Sequence, residues 1–252
     1  MKNKRFFEVG EYYHIFNRGV DKRLIFDDYF DMLRFYQSMQ EFNTIEPIGS
    51  IYENRHKRKK YSCGYPTTTK QDGDEKLVEI IAYCLNPNHF HLILKPLVIG
   101  GLSEYIKRLS GGYSRFYNLK KERGGFLFQG RFKAVHIDSE SYLRFLSVYV
   151  NLNFEVHQKF KNTKDENGKS KKLFFKSSWN EYKKAKIIKK IGGAIIVINS
   201  ENDICDKSMI LSHFDSISSY KKFAKETLES IKIKRYRDRE VIKNNFSINN
   251  DF

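Results

Sequence analysis

The stretch Ile80-Ile81-Ala82-Tyr83-Cys84-Leu85-Asn86-Pro87-Asn88-His89-Phe90-His91-Leu92-Ile93-Leu94-Lys95-Pro96 allows few ways of folding. Two apolar runs of strand length flank Asn-Pro-Asn, a turn signal, so they read as neighbouring antiparallel strands. Side chains alternate across a strand, which sends His89 and His91 to one face and Phe90, Leu92 and Leu94 to the other. Two imidazoles about 7 Å apart on one strand face can hold one metal ion. Spacing alone leaves a second reading open, in which both are ordinary polar side chains satisfied by their neighbours.

The rest of the chain can be ordered around this hairpin. Tyr12 to Asn17 alternate aromatic and polar groups before Arg18-Gly19, a strand and a turn. From Asp27-Asp28, the spacing of Phe30, Leu33, Phe35, Tyr36 and Met39 predicts an aspartate-capped helix running to about Phe42. Ile48 to Tyr52 reads as a short extra strand, and residues 53–77 as an insertion loop. In that loop the basic cluster Arg55 to Lys60 is either a solvated charged surface or a phosphate contact.

After the hairpin, Gly100-Gly101 precedes a helix with Ser103 as its expected cap, carrying Tyr105, Ile106, Leu109, Tyr113, Phe116 and Tyr117. Gly111-Gly112 within it signals a close approach or a kink. Phe126 to Ile137 reads as a last strand, with Arg131 and Lys133 on one face. Asp138 or Ser139 then caps a helix with Tyr142, Phe145, Leu146, Tyr149, Leu152, Asn153 and Val156 on one stripe.

The order strand, helix, strand, strand, helix, strand predicts an α+β fold, the ferredoxin-like split β-α-β sandwich, with the first and third strands adjacent at the sheet centre. The main domain is expected over residues 1–160 and a linker over 161–172. Residues 173–252 should form a small, mainly helical, basic extension. There Trp179, Tyr182, Ile187, Ile188 and Ile191 suggest an apolar cluster, Asp215 to Ile233 a helix, and Lys232 to Arg239 an exposed basic tail.

Charge selects the class of partner. Lys and Arg number 46 against 30 Asp and Glu, a formal net charge of +16, which favours a polyanion and nucleic acid first. Lys107, Arg108 and Arg115 on the second helix, with Arg18, Arg131 and Lys133 on the strands, are the candidate DNA-binding cations. A membrane is not expected, because the longest aliphatic run, Ala194 to Ile198, is far too short to span one. The amino terminus lacks the apolar core of a signal peptide, and Cys63, Cys84 and Cys205 show no Cys-x-x-Cys spacing. A cytoplasmic location without disulfides or a zinc knuckle is the expectation.

Leu85 to Leu94 resembles the His-hydrophobic-His block of the single-tyrosine HUH transposases, especially the REP-associated tyrosine transposases. The resemblance continues in Tyr13-His14-Ile15-Phe16-Asn17-Arg18-Gly19, in Phe126 to Ala134, and in Tyr149-Val150-Asn151-Leu152-Asn153. It implies cleavage of single-stranded DNA near a hairpin-forming end through a 5′-phosphotyrosine, with rejoining that needs no ATP. It also implies Tyr149 as nucleophile, with Asn153 joining His89 and His91 around Mg²⁺ or Mn²⁺. The chain departs from the family in having Phe154 where a proline usually follows, which leaves the helix end open, and Asn86 where many members have Met.

The residues by themselves say less. Tyr149 and Asn153 are four apart and share a helix face, but so do Tyr113 and Tyr117, and periodicity alone reads Tyr149 as one more buried aromatic and Asn153 as an exposed amide. A tyrosine hydroxyl, with a pKa of about 10, is a weak nucleophile at neutral pH, so a Lewis acid on the phosphate is its natural complement. Two other readings remain: a non-catalytic, RRM-like module for single-stranded nucleic acid, and an HUH nickase of replication or mobilisation. A homodimer is left open.

Overall fold

Alternation along β1 (Tyr12–Arg18) buries Tyr13 and Ile15 in one apolar layer and turns His14 and Phe16 the other way. The computed structural model describes residues 5–54, 75–156, 173–189, 195–200 and 203–248. Beside β1 stand β2 (Val78–Asn86), β3 (His89–Pro96), β4 (Lys133–Ile137) and β5 (Lys176–Ser177), in one antiparallel sheet of order β4-β1-β3-β2-β5. Its first four strands have the ferredoxin-like order, with β1 and β3 paired at the centre as expected. Asn86 faces His89 across the β2–β3 hairpin, and the Pro87 carbonyl of the turn accepts from the N–H groups of Ile25 and Phe26. A bulge at Ile81 shifts the register, so that Ile81 and Ala82 both join the second layer while Ile80 and Tyr83 join the first.

The first layer is roofed by α1 (Tyr29–Glu41) and α2 (Gly101–Lys120). Asp28 and Asp31 close a capping box at the start of α1, which ends at Phe42, the boundaries that local pattern predicts. Lys120 holds both carboxylates at 2.6 Å and so ties the end of α2 to the start of α1. Ser103 is not the cap of α2. The helix starts three residues earlier because Gly100 turns the chain at φ 74°, and a Cβ on Gly101 would lie 2.5 Å from the Leu77 carbonyl. The Gly111-Gly112 pair marks close approach, since a Cβ on Gly112 would meet the Phe42 ring at 2.7 Å, and α2 runs through it unbroken.

Two expected strands differ. Residues 51–54 form a helical turn, with the Ser50 hydroxyl accepting from the Glu53 N–H. Residues 126–132 are a loop and the last strand starts at Lys133, because Gly125 and Gly130 take positive φ and the loop's β-pairing is limited to a single bridge, Gly19 to Phe128. Arg131 therefore does not alternate with Lys133 on one strand. The basic cluster 55–60, Cys63, most of the insertion, the linker 161–172 and Ile191 lie outside the described residues.

The second layer begins with α3 (Glu140–Asn151), capped by Ser139, whose hydroxyl accepts from the Tyr142 N–H. The chain breaks at Leu152 and restarts as α4 (Asn153–Val156), so the single stripe expected over Tyr142 to Val156 does not form. Leu143, Leu146 and Val150 are buried, while Tyr142 and Phe145 are exposed.

Residues after 173 complete this layer. β5 pairs with the edge of β2, followed by α5 (Trp179–Lys184), the hairpin β6 (Lys186–Lys189) and β7 (Ile195–Ile198), α6 (Ser208–Leu211) and α7 (Ile217–Ile248). Tyr182, Leu211, Tyr220, Ala224 and Leu228 pack with Ile81, Ile93, Leu146 and Val150, joined by Ile187 and Trp179, whereas Ile188 is exposed. The Tyr182 hydroxyl donates to the Ile81 carbonyl at 2.9 Å, and Asn151 accepts from Ser178 at 2.5 Å and donates to the Tyr220 hydroxyl at 3.2 Å.

A chain ended at residue 160 is therefore expected not to unfold cooperatively. Each buried Tyr or Leu it loses is worth about 1.5–3 kcal/mol, against a total stability of about 5–15 kcal/mol. Thermal unfolding followed by circular dichroism checks this, and a truncated chain melting like the full one would contradict it.

Candidate active site

Cross-strand register assembles the site from residues far apart in the chain. Arg18, His89 and Asn86 form one row across β1, β3 and β2; Lys133, Phe16, His91 and Cys84 form the next, starting on β4. Both rows face the second layer, where α3 and α4 contribute Tyr149 and Asn153. Tyr149 stands edge-on to His91, ring centroids 5.6 Å apart at 83°, and edge-on to His14 at 6.3 Å. Asn153, fully buried, places Oδ1 3.3 Å from Nε2 of His89.

The helix break decides this arrangement. Tyr149 and Asn153 do not ride one continuous helix; the turn at Leu152 directs Asn153 into the interior while Tyr149 stays half-buried. Tyr113 and Tyr117, equivalent by spacing, lie in the first layer instead, donating to the Ile25 carbonyl and to Asp27. Burial raises the pKa of both hydroxyls, and Asp27 adds to this for Tyr117.

Two groups at the site escaped the sequence reading. The Asn86 amide donates to Asn153 Oδ1 at 2.9 Å and lies 3.1 Å from His89 Nε2, bridging two acceptors. His14 places Nε2 2.9 Å from Nδ1 of His91. Asn86 is the residue opposite His89 across a two-residue turn, so hairpin register was the available signal; His14 stood in the resembling stretch Tyr13 to Gly19, with no role assigned to it.

The rings are set by their partners. Asn88 Oδ1, an acceptor, lies 2.6 Å from His89 Nδ1, which places the hydrogen there and leaves the lone pair on Nε2. Burial takes His14 down to about 4. Burial also takes His89 to about 4; the Asn153 hydrogen bond opposes this, and the charges of Arg235, from α7, and Arg18 assist it. Both rings are neutral at physiological pH.

An unfolded histidine titrates at about 6.5, so below that value the unfolded chain takes up protons that these two buried rings refuse. Stability is thus complete above about pH 6.5 and falls toward pH 4, by an amount on the order of a few kcal/mol. Urea midpoints across this window check the slope, and a flat profile between about pH 6.5 and 4.5 would contradict it.

No group of three or more His, Cys, Asp or Glu side chains suited to a metal occurs among the described residues. A cation at this site would rely on an amide as third donor. His89, His91 and Asn153 supply two neutral imidazoles and a carbonyl oxygen, and Asn153 Nδ2 is buried without a partner, so the amide is held for its oxygen. The Cys84 thiol, its pKa raised to about 12 by burial, offers no thiolate. This donor set fits a divalent ion completed by phosphate oxygens.

The candidate DNA-binding cations divide between two places. Arg18, bonded to Gln129, and Lys133, 6.0 Å from the Phe16 ring centroid, lie in the histidine rows and are exposed. Lys107 and Arg131, with Arg5, line a groove of ≈ 1050 Å³ between α2 and the 125–132 loop, walled by Phe126, Phe128 and Phe132. Arg115 is exposed on α2, whereas Arg108 is held by Glu104 and the carbonyls of Thr44 and Ile45. No helix among the described residues is long and apolar enough to cross a membrane.

A solved structure of the REP-associated tyrosine transposase bound to a REP hairpin aligns with a TM-score of 0.41 and 16% identity, over 62% of this chain and 74% of that one. No curated protein matches the chain. The family described as transposase IS200-like matches residues 52–153, from within the helical turn after Ser50 through α4's first residue. That span contains the His89–His91 strand, Tyr149 and Asn153, and over residues 52–153 the chain is similar to the IS200-like transposases.

Proposed function

We propose that this chain is a metal-dependent transposase that cleaves and rejoins single-stranded DNA near hairpins, with Tyr149 as nucleophile. One observation carries the reading: of the helical tyrosines Tyr113, Tyr117 and Tyr149, it is Tyr149 whose ring meets His91, beside the His89–Asn153 contact. The phenolic oxygen of Tyr149 bonds to the scissile phosphorus, the bond from phosphorus to the 3′ oxygen breaks, and that oxygen leaves as a 3′ hydroxyl after taking a proton. The 5′ phosphate stays on Tyr149, so the bond energy is kept and the reverse step rejoins a strand without ATP.

Bound Mg²⁺ or Mn²⁺, held by His89, His91 and Asn153, would act as Lewis acid on the phosphate. Arg18 in the row of His89 and Arg235 near His89 bring positive charge to the same place. The catalytic unit is then residues 1–160 together with the segment from 173 that covers the second layer. A cytoplasmic protein, alone or as a homodimer, accords with this reading. The open aromatic sheet of an RRM-like module finds no counterpart in β2 and β3, which are buried along nearly their whole length beneath both layers.

The test is incubation with labelled single-stranded hairpin DNA and Mg²⁺ or Mn²⁺, followed by a search for a covalent adduct; binding without any adduct would favour the non-catalytic module. The groove is proposed to hold DNA through Lys107 and Arg131, with Phe126 available for stacking. Replacing both cations by Glu is expected to weaken hairpin binding and to flatten its salt dependence by about one unit of slope for each phosphate no longer neutralised. Anisotropy titrations over a range of salt read this, and an unchanged slope would remove the groove from the DNA path.

A further inference from the structure

His14 belongs to a motif, Tyr13-His14-Ile15, that the reaction above leaves without a role. It is buried on β1, its ring side by side and nearly coplanar with that of His91, centroids 5.1 Å apart and planes at 17°, and its Nε2 is 2.9 Å from Nδ1 of His91. Tyr149 sets its edge against both rings.

A contact between two imidazole nitrogens needs one hydrogen, and its position decides what His91 can bind. With the hydrogen on His14, the neutral His91 ring carries its own on Nε2 and has no lone pair left for a cation there. With the hydrogen on His91 Nδ1, Nε2 carries the lone pair. His89 shows the second pattern, its Nδ1 held by Asn88 at 2.6 Å. We propose that His14 is a positioning residue: its Nε2 accepts from Nδ1–H of His91 and so holds His91 in the tautomer and ring orientation that aim Nε2 at the metal. Both site histidines are then pinned at Nδ1, His89 by an amide oxygen and His91 by an imidazole. This inference rests on His91 being a metal donor.

The experiment uses the full chain and Mn²⁺ alone, titrated by electron paramagnetic resonance, with folding of each variant checked by thermal unfolding. His14→Phe keeps a flat ring of similar size but removes the acceptor; His14→Gln restores an acceptor without the ring. Mn²⁺ affinity is expected to fall about 10–100-fold in His14→Phe and to recover largely in His14→Gln. A role in packing alone would give the reverse order. Wild-type affinity in His14→Phe, or equal losses in both variants, would overturn the proposal.

Ring ¹⁵N resonances of His91 in the Mg²⁺-loaded wild-type chain give a second readout that no variant's folding can spoil. Protonation at Nδ1 supports the proposal and protonation at Nε2 overturns it. The metal reading fails separately, if wild-type protein binds no Mn²⁺ or His91→Ala binds it unchanged; the ¹⁵N resonances of the metal-free chain then decide on His14 by the same rule.

Discussion

Tyr149→Phe is expected to leave the protein folded and to eliminate the covalent DNA adduct. The substitution keeps the ring that stands edge-on to His91 and His14, so the aromatic contacts at 5.6 Å and 6.3 Å survive. Tyr149 is half-buried, and losing its hydroxyl should change stability by no more than about 0.5–1.5 kcal/mol. What disappears is the attacking oxygen, for which the cleft offers no substitute within the same helix: Tyr142 is exposed a full two turns earlier. An oligonucleotide labelled on its 3′ side reports the result, because the protein-linked fragment carries that end. Tyr113→Phe and Tyr117→Phe should keep the adduct, since both hydroxyls are engaged in the opposite layer. Mass spectrometry of the DNA-linked peptide decides the assignment, and an adduct on Tyr113 or Tyr117 would refute it.

His89→Ala should leave DNA bound and uncut. His89 contributes one of the three proposed donors, and its Nε2 also accepts from the Asn86 amide, so its loss strips one partner from that buried group. A stability cost of about 1–3 kcal/mol is expected beside the loss of cleavage. Binding should persist because Lys107, Arg115 and Arg131 lie apart from the histidine rows. Asn153→Ala removes a weaker, neutral donor, and raising Mn²⁺ should partly restore its activity, whereas chelation should silence the wild-type protein. Full cleavage by His89→Ala in the presence of a chelator would exclude a metal role for this ring.

These expectations draw unequally on what could be read before the fold was seen. Helix α1 was legible to within a residue because its signals, the Asp28 cap and an apolar repeat of three and four, act over a single turn. The strand carrying His89 and His91 was legible for the same kind of reason, as alternation alone sorts Phe90, Leu92 and Leu94 away from the histidines. Errors arose where one local signal outweighed another. Ser103 is a good cap, but the left-handed Gly100 turned the chain first. The alternation from Phe126 onward resembles a strand, yet Gly125 and Gly130 bend the backbone out of the sheet until Lys133.

By itself, then, the sequence determined the class of the fold, the order of its first four strands, the face on which the histidines stand and a strongly positive charge balance. All of these follow from periodicity, caps and net charge, which are local or additive properties. The tertiary structure decided which tyrosine meets the histidines, because that depends on the layer to which each helix packs. It placed Asn86 and His14 at the site through cross-strand register, and Arg235 through the path of α7, more than a hundred residues from His89 along the chain. It also made residues after 173 part of the second core, since a hydrophobic face such as that of Ile81, Leu146 and Val150 is covered by whatever apolar surface fits it, however distant in the chain.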